Sequence, residues 1–233
     1  MIEKLPSLDQ FFDLNHVKVS EFLQEQQPIW LALINLQSYL STQRLGTILV
    51  EIPPNATLVN PELISIGEGT IVEPNAYIRG PTIIGKNCHI RHASYIRGNV
   101  IIGDNCVIGH ASELKHSILL NFVKAAHFAF IGDSIVGSHV NIGAGVRCAN
   151  LRLDNRLVSL SYKGEKIATT LRKFGSIIGD RVAIGCNAVI NPGTLLAKGA
   201  QCYPSVNLSG FVEENTVVSL HQKLSRHIFK RGE

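Results

Sequence analysis

The sequence predicts an all-β fold: a parallel β-helix of hexapeptide repeats, with an N-terminal helical cap, a protruding hairpin arm and a short C-terminal helix. Three observations lead there. Ile66, Val72, Ile78, Ile84, Ile90, Ile96, Ile102, Ile108 and Leu114 stand six residues apart, and the row resumes as Val136, Ile142, Cys148 and as Ile178, Ile184, Ile190, Leu196, Cys202, Leu208. A helix repeats every 3.6 or so residues and a half-buried strand every second one, so neither asks for a period of six. A coil with three six-residue sides does, because each side turns one apolar chain into a narrow interior. Second, Gly67, Gly85, Gly103, Gly137, Gly143, Gly179 and Gly185 each follow a member of that row, where the chain bends and a Cβ would crowd it. Third, 45% of the residues are hydrophobic but only 6% aromatic, which suits an interior of Ile, Val and Leu.

The elements follow in order. Residues 1–45 break the rule of six. Pro28 fits the first turn of a helix, and Ile29, Leu33, Leu36 and Leu40 continue at helical spacing until Gly46. A weaker helical segment spans Val19 to Gln24. This part is expected to be a lid over the first rung, since terminal repeats need caps. A connector, Thr47 to Asn60 with Pro53-Pro54, leads into a coil assigned to 46–211. Between Leu114 and Val136 the register slips: Leu119, Ala125 and Ile131 keep the step of six, with five-residue steps at either end. In a regular array such a break is a candidate site. Cys148 and Ile178 stand 30 residues apart, and residues 151–175 or so form the arm, with a hairpin from Leu157 to Thr169 turning at Lys163-Gly164-Glu165. Residues 212–233 are the tail, where Val217 to Lys230 reads as a short helix with a basic end.

Composition narrows the classes. The N-terminus lacks the basic and then apolar pattern of a signal peptide. The longest uncharged run, Gln26 to Gln43, is interrupted by Pro28, Asn35, Gln37 and Ser38, so no membrane insertion and a cytoplasmic location are expected. A net charge of +4 suits small anionic ligands, while no dense basic stripe interleaved with aromatics points to nucleic acid. The five cysteines form no CxxC pair, and Cys88 and Cys106, one rung apart, are expected to stack as buried structural thiols.

The break in register begins Lys124-Ala125-Ala126-His127-Phe128-Ala129-Phe130-Ile131-Gly132-Asp133 and is followed by Val140-Asn141-Ile142-Gly143-Ala144-Gly145. At this spacing the chain resembles the left-handed β-helix acetyltransferase domain of the bifunctional glucosamine-1-phosphate acetyltransferase/UDP-N-acetylglucosamine pyrophosphorylase family, which carries K-A-x-H-x-x-Y-x-G-D and then V-N-I-G-A-G. The resemblance covers about residues 62 to 210. It implies His127 as the catalytic base, Arg97 and Lys115 as holders of a sugar phosphate, and Glu113 as a further catalytic-site residue, which either orients His127 or pairs with Lys115. It implies Asn141 in contact with the sugar, Asn150 beside the reacting amine, and Ala144, Cys186 and Pro204 along the acetyl-CoA groove. It also implies a homotrimer with its active sites between neighbouring coils, a small anionic sugar phosphate as partner, acetyl-CoA as co-substrate and no metal in the transfer. Two departures stand out: Phe130 replaces the family's sugar-contacting Tyr, and the arm replaces a short loop with a phosphate-binding Lys, for which Arg156 is a poor substitute. The nucleotide-transferring half is expected to be missing, and Gly67-Glu68-Gly69-Thr70 is read as an ordinary corner.

The chemistry agrees with those residue types. Acetyl transfer to an amine needs the ammonium deprotonated, which a neutral imidazole near pH 7 can do. A backbone N–H near Gly143-Ala144-Gly145 can stabilise the oxyanion. Arg97 offers a phosphate two donors, Lys115 a point charge, and their 18-residue separation stacks them on one edge. The expected function is therefore acetyl-CoA-dependent N-acetylation of an amino-sugar phosphate, glucosamine 1-phosphate foremost. Alternatives are acylation of another amino sugar or UDP-sugar, with an acyl carrier protein or acetyl-CoA as donor, and a non-catalytic sugar-nucleotide-binding or scaffold coil. A trimeric metal enzyme of the γ-carbonic-anhydrase type is disfavoured, since no two histidines have its five-residue spacing, although His92, His110 and His116 fall one rung and then six residues apart.

Overall fold

The structure, a computed structural model, describes residues 5–228. The row of sixes lines the interior as expected. From Ile66 to Cys202 its members are all buried in one continuous core, the displaced Leu119, Ala125 and Ile131 among them. Three parallel sheets of eight strands each form the sides of the coil, a left-handed β-helix. Within a rung the first sheet is entered at Ile64–Ile66, the second at Ile71–Val72 and the third at Tyr77–Arg79. Neighbouring rungs are 18 residues apart where regular, as in Thr82 opposite Val100, and Val107 opposite Lys124 shows the one-residue shortening.

Close stacking of rungs explains the glycines. A Cβ on Gly85 would sit 2.5 Å from the Gly103 carbonyl oxygen of the next rung. The corners also need left-handed backbone, and Asn75, Asn87, Asn99 and Asn105 supply it with φ of 61, 52, 51 and 59°. Asn tolerates this region because its short polar side chain bonds locally. Cys88 and Cys106 are buried, their thiols donating to the carbonyls of Gly103 and Leu120 at 3.1 and 3.0 Å.

The N-terminal segment differs from the lid expected of it. Its helices, α1 (Ser20–Gln24) and α2 (Leu31–Thr42), lie along the side of the coil. Phe11, Phe22, Leu23, Leu33, Leu36 and Leu40 share a second core with Ile101, Ile118, Ile135, Ile177 and Leu195, the outward residues of the first sheet. The cause is in the strands themselves: on six of this sheet's eight strands an extra Ile or Leu precedes the inward residue, so both faces are apolar. The open end of the coil is closed instead by the connector, where Ile48 bridges Ile66 and Val50 and Ile52 pack on the inner core. Thr57–Val59 is already a strand, paired with Tyr77–Arg79.

The arm does not protrude. Its hairpin, Ser159–Tyr162 against Glu165–Ala168, turns at Lys163-Gly164 as expected. Yet Val158, Leu160 and Tyr162 are buried in the second core, and the Tyr162 ring meets Phe211 edge-on at 4.8 Å. Alternating apolar residues give the hairpin one greasy side, which needs cover, and the first sheet provides it. The C-terminal helix is not seen among the described residues either. Val217–Val218 is the last strand of the second sheet, so the coil extends past 211, and residues 219–228 are exposed and without secondary structure.

Polar stitches fix the layer to the corner between first and second sheets. Asp104 accepts the Lys18 ammonium at 2.9 Å and the Lys86 N–H at 2.7 Å. Burial pushes the Asp104 carboxyl up, but these donors outweigh it and leave its pKa below the ordinary 3.8. A lowered carboxyl pKa means stability that is present above the unfolded-state value and lost as pH falls through the folded one. Asp104→Asn is therefore expected to reduce stability at neutral pH and to flatten its decline on acidification from 3.8 downward, read by denaturant titrations at several pH values. Ile118→Ala, in the wall between coil and layer, is expected to cost about 2–5 kcal/mol, read as a shift in the unfolding midpoint.

Candidate functional site

Most of the expected site residues occupy two corners and the sheet between them. The third sheet carries an outward column in which Tyr77, Tyr95, Glu113, Phe130 and Arg147 face one another across successive rungs. His127 lies where the chain turns into this sheet, at the end of strand Lys124–His127. Lys115 and Asp133 lie where it leaves.

The first corner is built by register. His127 pairs with His110 below it, and Asn141 with Lys124 and Ala183, so the corner runs His92, His110, His127, Ala144, Cys186, Pro204 on consecutive rungs. The four residues assigned to base and acetyl-CoA groove thus form one column. The residue after each has left-handed backbone and, from rung to rung, donates its N–H to the carbonyl below: Phe128 to His110 at 2.9 Å, Gly145 to His127 at 3.2 Å, Asn187 to Ala144 at 2.8 Å. Of the three glycine-loop amides, Gly143 donates to Ile184 and Gly145 to His127, while Ala144 has no acceptor among the described residues. That free N–H stands one rung above His127. The His127 side chain is exposed, and its ring nitrogens have no hydrogen-bond partner among the described residues. Beside it Phe128 holds φ 50° with its ring 56% exposed, a conformation few bulky residues adopt. The Phe128 ring stands edge-on to His110 at 5.3 Å, and His110 stacks on His92 at 5.6 Å.

The second corner is an ion-pair network. Arg97 and Lys115 stack as their spacing implied, Arg97 N–H donating to Leu114 at 2.9 Å, but their side chains part. Arg97 donates to Glu113 at 2.6 Å and lies over the Tyr95 ring at 5.7 Å; the Glu113 carboxylate pushes the guanidinium pKa up. Lys115 reaches both oxygens of Asp133 at 3.2 and 2.9 Å, and Asn150 donates to the same carboxylate. A Cβ on Gly132 would lie 2.8 Å from both the Asn150 amide nitrogen and the Phe130 ring, so any larger residue would displace these two side chains. Glu113, expected in the catalytic set, is the partner of Arg97 and touches neither His127 nor Lys115.

Other residues are not brought to this face. Asn141 is exposed on the second sheet, around a corner from Arg97 and Lys115. Arg156 is exposed in the arm beside Asp154. His116 points away from His92 and His110, its Nε2 bonded to the Leu33 carbonyl at 2.8 Å. Asp133 was missed as a site residue although it closes the quoted motif; the Gly-Asp ending was its signal.

A family model described as the GMPPB C-terminal domain matches residues 78–196, just over half of the chain. The bifunctional sugar-1-phosphate nucleotidylyltransferase/acetyltransferase of Sulfurisphaera tokodaii is 39% identical over 88 residues, 38% of this chain and 22% of that protein. The bifunctional protein GlmU of Methanococcus vannielii is 40% identical over 90 residues, 37% of this chain and 22% of its own. The chain therefore spans about a fifth of the length of these curated relatives. Among solved structures, UDP-N-acetylglucosamine acyltransferase from Campylobacter jejuni overlays with a TM-score of 0.45 at 15% identity, covering 72% of this chain and 70% of that one.

Asp133 is 7% exposed and holds Lys115 and Asn150 together. Asp133→Asn keeps the shape and tolerates the corner's φ of 47° but removes the charge. It is expected to cost about 1–3 kcal/mol, checked by urea unfolding, because Lys115 loses its counter-charge in a half-buried place.

Proposed function

The chain belongs to the GMPPB C-terminal domain family, and from that premise we propose that it is an acetyl-CoA-dependent N-acetyltransferase of an amino-sugar phosphate, with glucosamine 1-phosphate as the foremost acceptor. The observation that carries this reading is the first corner: an unpartnered imidazole at His127 directly below an unpartnered N–H at Ala144, with Cys186 and Pro204 continuing the same edge. His127 takes a proton from the acceptor ammonium, and the freed amine attacks the thioester carbonyl. The Ala144 N–H receives the oxyanion, the C–S bond breaks, and the departing thiolate takes up the second proton, which the acylated nitrogen sheds. The edge through Cys186 and Pro204 is where the pantetheine arm would lie. The relatives' names, which include an acetyltransferase, support the reaction class.

Arg97 and Lys115 would hold the phosphate at the far corner. Both are ion-paired, so a phosphate must displace or share Glu113 and Asp133. Phe130 offers it no hydroxyl. Asn141, on the second sheet, would meet this face from a neighbouring copy in a homotrimer that completes each site at an interface. A second reading, a non-catalytic coil binding a sugar nucleotide, rests on those occupied cations.

The test is thiol release from acetyl-CoA across a panel of amino-sugar phosphates. Turnover by the wild type, reduced in His127→Ala by about 10²–10⁴-fold in kcat with an unchanged circular dichroism spectrum, supports the enzyme. Absence of release with every acceptor rejects it in favour of the second reading.

A further inference from the structure

Residues 219–228 have left the coil, and their apolar side chains face solvent: Leu220 is 58% exposed, Leu224 75% and Ile228 90%. A large apolar side chain left in water forgoes the free energy of burial, so three at a regular spacing call for a surface to cover them. Their spacing of four is helical. Wound as a helix, the segment places Leu220, Leu224 and Ile228 on one face, Arg226 on the opposite one and Lys223 on the flank between them. The sequence continues through Lys230 and Arg231 and has no acidic residue between Glu214 and Glu233. The apolar row explains why the segment reads as a helix, and the missing intrachain partner explains why none is formed.

We propose that this tail is a membrane-surface anchor: on an anionic lipid bilayer it folds into an amphipathic helix lying in the interface, with its leucine and isoleucine side chains among the acyl chains and its cations at the headgroups. Charge chooses this occupant. From 215 to 232 the only Lys, Arg, Asp or Glu residues are Lys223, Arg226, Lys230 and Arg231, and the chain as a whole carries +4, so an anionic leaflet complements the segment better than a second copy of a net-basic chain. Spanning is not involved, since among the described residues no helix is long and apolar enough to cross a bilayer. The inference stands apart from the proposed acetyl transfer.

The experiment is flotation of the full chain with vesicles of phosphatidylcholine alone, or with about one quarter phosphatidylglycerol, alongside circular dichroism. Binding to the anionic vesicles only, a gain of helix on binding, and a loss of about tenfold or more in 0.5 M salt are expected. Leu224→Glu and Lys223→Glu/Arg226→Glu, at exposed positions outside the coil, should each abolish flotation while thermal unfolding is unchanged. No flotation, equal binding to neutral vesicles, or binding indifferent to Leu224→Glu overturns the proposal. So does a change in sedimentation coefficient of Leu224→Glu without lipid, which assigns the apolar row to a second copy.

Discussion

Every feature of this molecule follows from how near one rung lies to the next. Parallel strands stack at about 4.8 Å, and a coil of three short sides repeats that contact at every corner as well as along every strand. Nothing bulky fits between rungs, so the residue after an inward side chain is often glycine, and Gly109 faces the Ala126 carbonyl with no room for a Cβ. Backbone that turns sharply must enter the left-handed region, and asparagine fills many such places. The same closeness turns a sequence period into a spatial column, which is how residues 18 apart become neighbours.

That translation from period to column made the interior fully legible, displaced rungs included. Leu119, Ala125 and Ile131 face inward as their restored step of six implied. What escaped the reading was the outside. On the first sheet Ile83, Ile101, Ile118, Ile135, Ile177 and Leu195 each precede an inward residue, a second row written beside the first. A row every eighteen or so residues is harder to notice than one every six. It decides where the N-terminal helices and the arm go, and both were placed elsewhere by rules for caps and for long loops. The tail's apolar spacing of four reads as a helix, but residues 219–228 form none: with no partner for that row among the described residues, propensity alone does not make a helix of that length.

The site was legible to a similar depth. Positions could be assigned because each corner column is fixed by counting, and His127, Ala144, Cys186 and Pro204 do share an edge. Partners could not, because a side chain's choice among carboxylates depends on rotamer and direction rather than on rung number. Arg97 and Lys115 stack along the backbone yet answer to different anions, Glu113 and Asp133. Asn150 is drawn to Asp133 as well, so the second corner is wired from within before any ligand arrives.

The wall built on the first sheet has a geometric result. A triangular prism has three flanks, and here one is sealed by residues 5–42 together with the arm. Anything meeting the coil broadside is left with the other two flanks and the ridge they share. That ridge is the His127 column. By covering one side of itself, the molecule aims its exposed imidazole at whatever it meets.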